Sequence, residues 1–245
     1  MRRVHLPAPF ATAGEHIGIA LPGGRALFTT RRGGVSEGAY ASLNLGRWTE
    51  DDPGAVHRNR MIVADLVGVP LDAVVQGRQV HGARVERSAT TGGAIEEADG
   101  QATAERGLAL LVLTADCLPI ALIAPGAVAM LHAGWRGLAA GVLEQGVRAM
   151  RELVGDAEVQ AAIGPGAGGC CYEVGPEVHA AFGEAAAGPA RIDLKTIARE
   201  RLTAAGVGQV HDVGLCTLCA EPGVFFSHRR DGGATGRQAG IAWRS

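Results

Sequence analysis

Between Leu108 and Ala133 the chain runs LALLVLTADCLPIALIAPGAVAMLHA, and no other stretch constrains the fold as strongly. A helix crossing a bilayer needs about 20 uninterrupted apolar residues. Here Asp116, Pro119, Pro125 and Gly126 divide the run, so it is core and a membrane is not a partner. The pieces Leu108–Thr114, Ile120–Ala124 and Ala127–His132 have strand length and only tight turns between them, and they read as buried on both faces. Three strands in succession favour an α+β fold over a doubly wound sheet with strictly alternating elements.

Further apolar runs of strand length lie at Arg25–Thr30, Ala73–Gln76 and Val159–Ile163. Three segments read as helices. One starts at Asp52 as N-cap with Pro53 in first position and stops at Gly68. A second spans Leu138–Val154, with Ala139, Val142, Leu143, Val147, Met150 and Val154 on one face. The third is capped by Asp193 and stopped by Gly206. The 37 glycines fall in short separate clusters, which are turns, and no repeat or Pro/Ser-rich linker divides the chain. Residues 1–245 are therefore expected to form one domain. With 47% apolar residues, such a chain can bury roughly 70–75% of its unfolded surface without disulfides or a structural metal.

Charge narrows the partners. The 23 basic and 25 acidic residues leave a net charge of -2, with no excess to hold a nucleic-acid backbone or an anionic membrane. Lys195 is the only lysine, and no G-x-x-x-x-G-K precedes it, so it is the sole candidate for Schiff-base or phosphate-loop chemistry. Five cysteines, an odd number, do not form a secreted disulfide framework. Met1–Gly14 carries His5, Pro7 and Pro9 where a signal peptide needs an apolar core. A cytoplasmic protein, monomer or homodimer, is expected.

Three glycine-rich turns carry reactive side chains: Gln79-Val80-His81-Gly82, Thr114-Ala115-Asp116-Cys117 and His132-Ala133-Gly134-Trp135-Arg136-Gly137. Each lies at or just after a predicted strand end, where sites are commonly built. If they converge, His81, Cys117 and His132 offer two imidazoles and a thiolate, a set suited to zinc or copper, with a fourth tetrahedral position free for chemistry. Spacings of 36 and 15 residues do not by themselves imply a shared face. A histidine or cysteine taken singly is more often an interior residue than a ligand.

These turns belong to a longer series. Phe28-Thr29-Thr30-Arg31, Gly33-Gly34-Val35-Ser36, Tyr40-Ala41-Ser42-Leu43-Asn44-Leu45-Gly46, Ala98-Asp99-Gly100, Ile163-Gly164-Pro165, Tyr172-Glu173-Val174-Gly175, Phe225-Phe226-Ser227 and Arg229-Arg230-Asp231 to Gly236-Arg237, with the three turns, resemble the laccase-domain family in order and over nearly the whole chain. Its members carry the labels multicopper polyphenol oxidase, peptidoglycan editing factor and purine nucleoside phosphorylase. The resemblance implies a single-domain mixed β-sheet sandwich flanked by helices, with zinc held by His81, Cys117 and His132. It also implies phosphorolysis of inosine, adenosine and methylthioadenosine, together with adenosine deamination. His228 stands where the family usually has tyrosine, and Gly166–Cys171 is richer in glycine and cysteine than its usual stretch.

Phosphorolysis needs a phosphate site, for which arginine forks are suited, and Arg31, Arg60 and Arg136 lie near the motifs. Ser42, Asn44 and Gln79 are expected to bond the nucleoside, although Ser42 and Asn44 equally suit turn stabilisation. Deamination suits an open zinc, which can activate water for attack on a purine. Asp116 is the expected proton carrier or partner to a ligand histidine, with a buried structural carboxylate as the alternative. Cys216-Thr217-Leu218-Cys219 is a C-x-x-C of the kind found in zinc and redox sites. Only Cys170-Cys171 offers to complete a four-ligand set, and unreactive thiols are the default expectation. Two other activities compete: a cysteine hydrolase using Cys117 and His132 on a cell-wall precursor, and weak copper-dependent phenol oxidation. A closed four-ligand metal would instead indicate a non-enzymatic module.

Overall fold

The computed structural model describes residues 6–87 and 97–245, so the first five residues of the Met1–Gly14 stretch lie outside it. In chain order the strands are β1 (Ala11–Ala13), β2 (His16–Leu21), β3 (Gly24–Phe28), β4 (Val74–Val75), β5 (Val85–Arg87), β6 (Gly100–Thr103), β7 (Ala109–Thr114), β8 (Leu118–Ala124), β9 (Ala127–Ala133), β10 (Gln160–Ile163), β11 (Glu173–Val174), β12 (Ala190–Arg191), β13 (Gln209–Asp212) and β14 (Gln238–Arg244). The helices are α1 (Pro53–Val67), α2 (Trp135–Ala140), α3 (Val142–Val154), α4 (Pro176–Ala181) and α5 (Leu194–Ala204). One six-stranded sheet has the order β1-β2-β3-β14-β7-β4, the other β13-β10-β8-β9-β6-β5, and β11 and β12 form a separate ribbon. Both large sheets are mixed: β4 runs parallel to β7, β5 to β6 and β10 to β13, while the remaining pairs are antiparallel.

Alternation of side chains along the strands builds the layers. Phe28, Leu110 and Val112 of the first sheet meet Ala121, Ile123, Val128 and Met130 of the second in a core between the sheets. The opposite parity faces outward. Leu27, Leu111, Leu113 and Ile241 pack on Val63 and Val67 of α1. Leu118, Ile120, Leu122 and Leu131 pack on Val142, Leu143, Val147 and Met150 of α3 and on Ala198 and Leu202 of α5. The result is helix, sheet, sheet, helix, the α+β sandwich flanked by helices. It explains why every residue of β7, β8 and β9 is buried. Each large aliphatic side chain so placed contributes about 1.5–3 kcal/mol.

The caps form as the sequence predicts. Asp52 accepts from the Ala55 amide and Gly68 closes α1 at φ 77°, while Asp193 accepts from the Lys195 and Thr196 amides. The single helix expected over Leu138–Val154 is corrected. It is two helices, α2 beginning already at Trp135, because Gly141 takes φ 92° and its amide turns back to Gly137 and Leu138. No helix among the described residues is long and apolar enough to cross a membrane.

The sandwich also places the chemistry. The chain leaves β7 in one sheet and enters β8 in the other through Ala115-Asp116-Cys117, so this segment bridges the two sheets at one end of the core. In the β8–β9 hairpin Leu118 pairs with Ala133 and Pro119 with His132, which sets Cys117 beside the end of β9.

Candidate metal centre and pocket

His132 shares the parity of Val128 and Met130, so it points into the space between the sheets, and only 3% of it is exposed. Cys117 sits at the entry to β8, and His81 lies in the loop after β4. The ligand atoms of His81, Cys117 and His132 all lie within 4.8 Å of one another. The two imidazoles meet edge to face, with ring centroids 4.9 Å apart. Gly134 leaves the room they need. A Cβ there would stand 2.9 Å from Cys117 Sγ and 3.1 Å from His81 Cδ2.

A fourth residue organises the three. Asp99, fully buried ahead of β6, has its Oδ1 2.7 Å from His132 Nδ1. It also accepts from the amides of Val80 (3.1 Å), His81 (2.9 Å) and Gly82 (2.7 Å). One carboxylate therefore orients the His132 ring, leaving Nε2 toward the thiol, and anchors the loop that carries His81. This anchoring holds His81 at φ 60°. Asp116, at φ 100°, is the only other non-glycine residue with positive φ among the described residues, and such conformations cost about 1–3 kcal/mol each. Asp116 is held by Thr217, whose hydroxyl donates to Oδ1 (2.6 Å), by the Arg229 amide on Oδ2 (2.8 Å), and by the Ala167 amide on its carbonyl (2.7 Å).

Charge in the cluster is redistributed accordingly. Burial pushes the Cys117 thiol up, but His132 and His81 outweigh it and hold the thiol at about 6. Burial pulls His132 down, while Cys117 and Asp99 together raise it to about 9. Burial likewise works to raise Asp99, yet its bonds from His132 and the loop amides keep it below the usual carboxylate range. The cluster thus favours a thiolate beside an imidazolium, a pair that a cation can replace by displacing one proton.

The trio lines a cleft of about 360 Å³, within the range of roughly 300–1,000 Å³ usual for small-molecule sites. Gln79 and Asp116 line it too. Gln79 is clamped to β7, donating to Leu113 carbonyl and accepting from Leu113 amide, both at 2.8 Å. The other expected substrate contacts are not among the lining residues. Arg31 is engaged by the carbonyls of Ala41, Pro222 and Ala39. Arg60 is 3% exposed and donates to Leu45 carbonyl and Gln76 Oε1, its pKa drawn down to about 9 by burial and by Arg47. Ser42 Oγ donates to Arg31 carbonyl, and Asn44 bonds Thr49 and Asp51 while accepting from the Gly46 and Arg237 amides. Arg136 is exposed and stacked on Trp135, within electrostatic reach of the Tyr172 hydroxyl.

His228, which the sequence marks as a departure from the family pattern, lines the cleft, and so do several residues given no role from the sequence: Trp48, Thr114, Tyr172, Arg229 and Arg237. Thr114, Tyr172, Arg229 and Arg237 all stand inside the motifs of the resemblance, as does Asp99, and that was the available signal. Thr114 Oγ1 is buried without a hydrogen-bond partner among the described residues, an orphan that asks for an explanation.

The polar cleft with its N,N,S donor cluster thus lies at the end of a four-layer sandwich. The family described as multi-copper polyphenol oxidoreductase laccase matches residues 25–245, and the chain belongs to it. Its relatives include a protein of Streptomyces coelicolor named purine nucleoside phosphorylase, 44% identical over 88% of this chain and 93% of its own. Another, the purine nucleoside phosphorylase YlmD of Geobacillus stearothermophilus, is 39% identical over 91% of this chain and 90% of its own. The crystal structure of YlmD superposes with a TM-score of 0.89 over 97% of this chain and 99% of that one, at 35% identity. A Neisseria meningitidis protein of solved structure gives 0.85 at 38% identity, covering 95% of this chain and 100% of its own.

Proposed function

We propose that this protein is a cytoplasmic, zinc-dependent purine nucleoside phosphorylase acting on inosine, adenosine and methylthioadenosine, with adenosine deamination as a second activity. The observation that carries the reading is the convergence of His81, Cys117 and His132 in one cleft, with Asp99 fixing the tautomer of His132. Two imidazoles and a thiolate suit zinc, and three protein ligands leave a position open to substrate or water. The names of the relatives support the reaction class. When bound, the ion supplies Lewis acidity beside the reacting atoms.

The rest is the work of this chain. Arg229 and Arg237, both lining the cleft, are assigned to the phosphate, with Arg136 adding positive charge within electrostatic reach of Tyr172. Thr114 Oγ1 has a hydrogen bond to give or accept and is assigned to the nucleoside. Trp48, 70% exposed yet lining the cleft, offers an aromatic face to the purine. In phosphorolysis a phosphate oxygen bonds the anomeric carbon as the C–N bond breaks, and the purine leaves with the electron pair. Asp116, fixed by Thr217 and Arg229, is assigned the proton transfers. Ser42, Asn44, Arg31 and Arg60 serve indirectly. Asn44, for example, holds the Arg237 amide at 2.8 Å.

The test is incubation of zinc-replete protein with inosine, adenosine and methylthioadenosine, with and without phosphate. Phosphate-dependent hypoxanthine and adenine are expected, and ammonia from adenosine. If none of these products forms in any tube, the proposal fails. A second reading draws on one observation: Cys117, His132 and Asp99 stand in the order thiol, imidazole, carboxylate, the arrangement of a cysteine hydrolase. Such an enzyme survives chelation and dies on alkylation, whereas the zinc reading requires loss on chelation and recovery with added zinc.

A further inference from the structure

Four of the five cysteines play no part in the cleft chemistry, and the fold gathers them into one place. Cys170 and Cys171 lie in the loop between β10 and β11, and Cys216 and Cys219 lie in the C-x-x-C turn after β13. Because β10 and β13 are parallel neighbours in register, with Ile163 opposite Asp212, the chain leaves both at the same end of the sheet. The two loops then pair. Gly166 amide donates to Leu215 carbonyl (3.3 Å) and Thr217 amide to Gly166 carbonyl (3.1 Å). A turn in which Cys171 and Tyr172 amides both bond Gly168 carbonyl brings the adjacent Cys170 and Cys171 side chains to the same pole. All four sulfur atoms lie within 4.8 Å of one another, with Cys170 and Cys219 Sγ 3.5 Å apart.

We infer that Cys170, Cys171, Cys216 and Cys219 form a second metal site, a closed tetrahedral zinc centre that fastens the two loops behind the cleft. With Zn–S bonds of about 2.3 Å, the sulfurs of a tetrahedral site stand about 3.8 Å apart. The separations in the cluster, 3.5 Å for Cys170 and Cys219 and none above 4.8 Å, bracket that spacing. The first cysteine of the C-x-x-C is served by backbone amides: Gly168 donates to Cys216 Sγ at 3.3 Å, and the amides of Leu218 and Cys219 point at the same sulfur. Amides aimed at sulfur offset the charge that four thiolates place on one ion. A Cβ on Gly168 would lie 3.3 Å from both Cys170 Sγ and Cys216 Cβ, so the backbone approaches the knot closely. Binding releases the thiol protons to solvent and changes no oxidation state.

The consequence for the cleft is mechanical. Thr217, between the two cysteines of the turn, donates to Asp116 and offers its carbonyl to Arg230 Nη1 at 2.7 Å. Tyr172, next to Cys171, lines the cleft. The site is a positioning element, independent of the zinc proposed at His81, Cys117 and His132.

Elemental analysis tests it directly. Wild-type protein purified under reducing conditions is expected to carry two zinc ions per chain, Cys216→Ser/Cys219→Ser one, and His81→Ala/His132→Ala one. Loss in the cysteine variant alone bears on this inference, and loss in the histidine variant alone on the catalytic reading. Cobalt(II) loaded into the histidine variant is expected to give the spectrum of a tetrahedral all-sulfur site. Should the cysteine variant not fold, titrating wild-type protein with a thiol reagent reads the same site: one zinc is expected to leave as four thiols react. Two zinc ions retained in the cysteine variant, four thiols modified with no zinc released, a mass showing a native disulfide, or an iron–sulfur chromophore would each overturn the inference.

Discussion

Replacing Asp99 with asparagine isolates the one carboxylate on which the cleft cluster depends. Asp99 Oδ1 faces the His81 amide and His132 Nδ1, while Oδ2 faces the amides of Val80 and Gly82. Asparagine keeps the shape but has one oxygen, so whichever way it turns, its NH2 confronts one of these donor pairs. Hydrogen bonds to charged groups contribute about 1.5–3 kcal/mol each, so losing two places about 3–6 kcal/mol at stake before relaxation. That is a large part of a typical stability of about 5–15 kcal/mol. His132 has one escape. It can move its proton from Nδ1 to Nε2 and accept from the new NH2, but Nε2 is the atom turned toward Cys117, and a protonated nitrogen binds no metal. Loss of the partner behind a ligand histidine costs about 10–100-fold in metal affinity, or about 1.4–2.7 kcal/mol. Competition between the protein and a chelator for zinc measures the affinity, and urea unfolding of the metal-stripped proteins measures stability. Unchanged zinc affinity at the histidine-containing site, with unchanged unfolding, would refute the role given to Asp99.

Three further substitutions probe other layers of the argument. Gly134→Ala forces a methyl to within 2.9 Å of Cys117 Sγ, so zinc binding at this site is expected to fail while overpacking costs about 1–3 kcal/mol; metal analysis and thermal melts check both. Trp48→Ala is expected to raise KM for the nucleoside with little change in kcat, since aromatic–base stacking contributes about 1–3 kcal/mol, or roughly 5–150-fold; an unchanged KM removes Trp48 from the binding surface. Phe28→Ala empties a fully buried ring from between the sheets and is expected to cost about 3–5 kcal/mol in urea unfolding, leaving the catalytic constants of the folded fraction unaltered.

The central strands were readable because burial on both faces leaves near-continuous apolar runs, as in β7, β8 and β9. Two helices were readable from caps at Asp52, Gly68, Asp193 and Gly206. Other elements left weaker traces. β6 reads Gly-Gln-Ala-Thr, polar at two of four positions although every residue is buried, and β14 mixes Gln238, Gly240 and Arg244 with its apolar residues. The break at Gly141 was invisible because the apolar face of the preceding turn runs on in phase with α3. For the cleft, reactive residue types could be picked out one at a time, but His81, Cys117 and His132 are far apart in sequence and only strand order brings them together. Asp99 escaped notice because its work is done on three backbone amides and one ring, contacts with no residue spacing to betray them. The cysteine cluster needed the parallel pairing of β10 with β13, a long-range relation that no local pattern encodes.

The pairing of Pro119 with His132 ties donor geometry to the hairpin that forms the centre of the second sheet. A slip of one residue in that hairpin would rotate the imidazole toward α3 and away from Cys117. The correctly aligned hairpin is therefore the register that brings His132 to the His81 and Cys117 donors. Variation among homologous enzymes should then concentrate in the rim segments carrying Trp48 and His228, which can be remodelled for new substrates without disturbing that alignment.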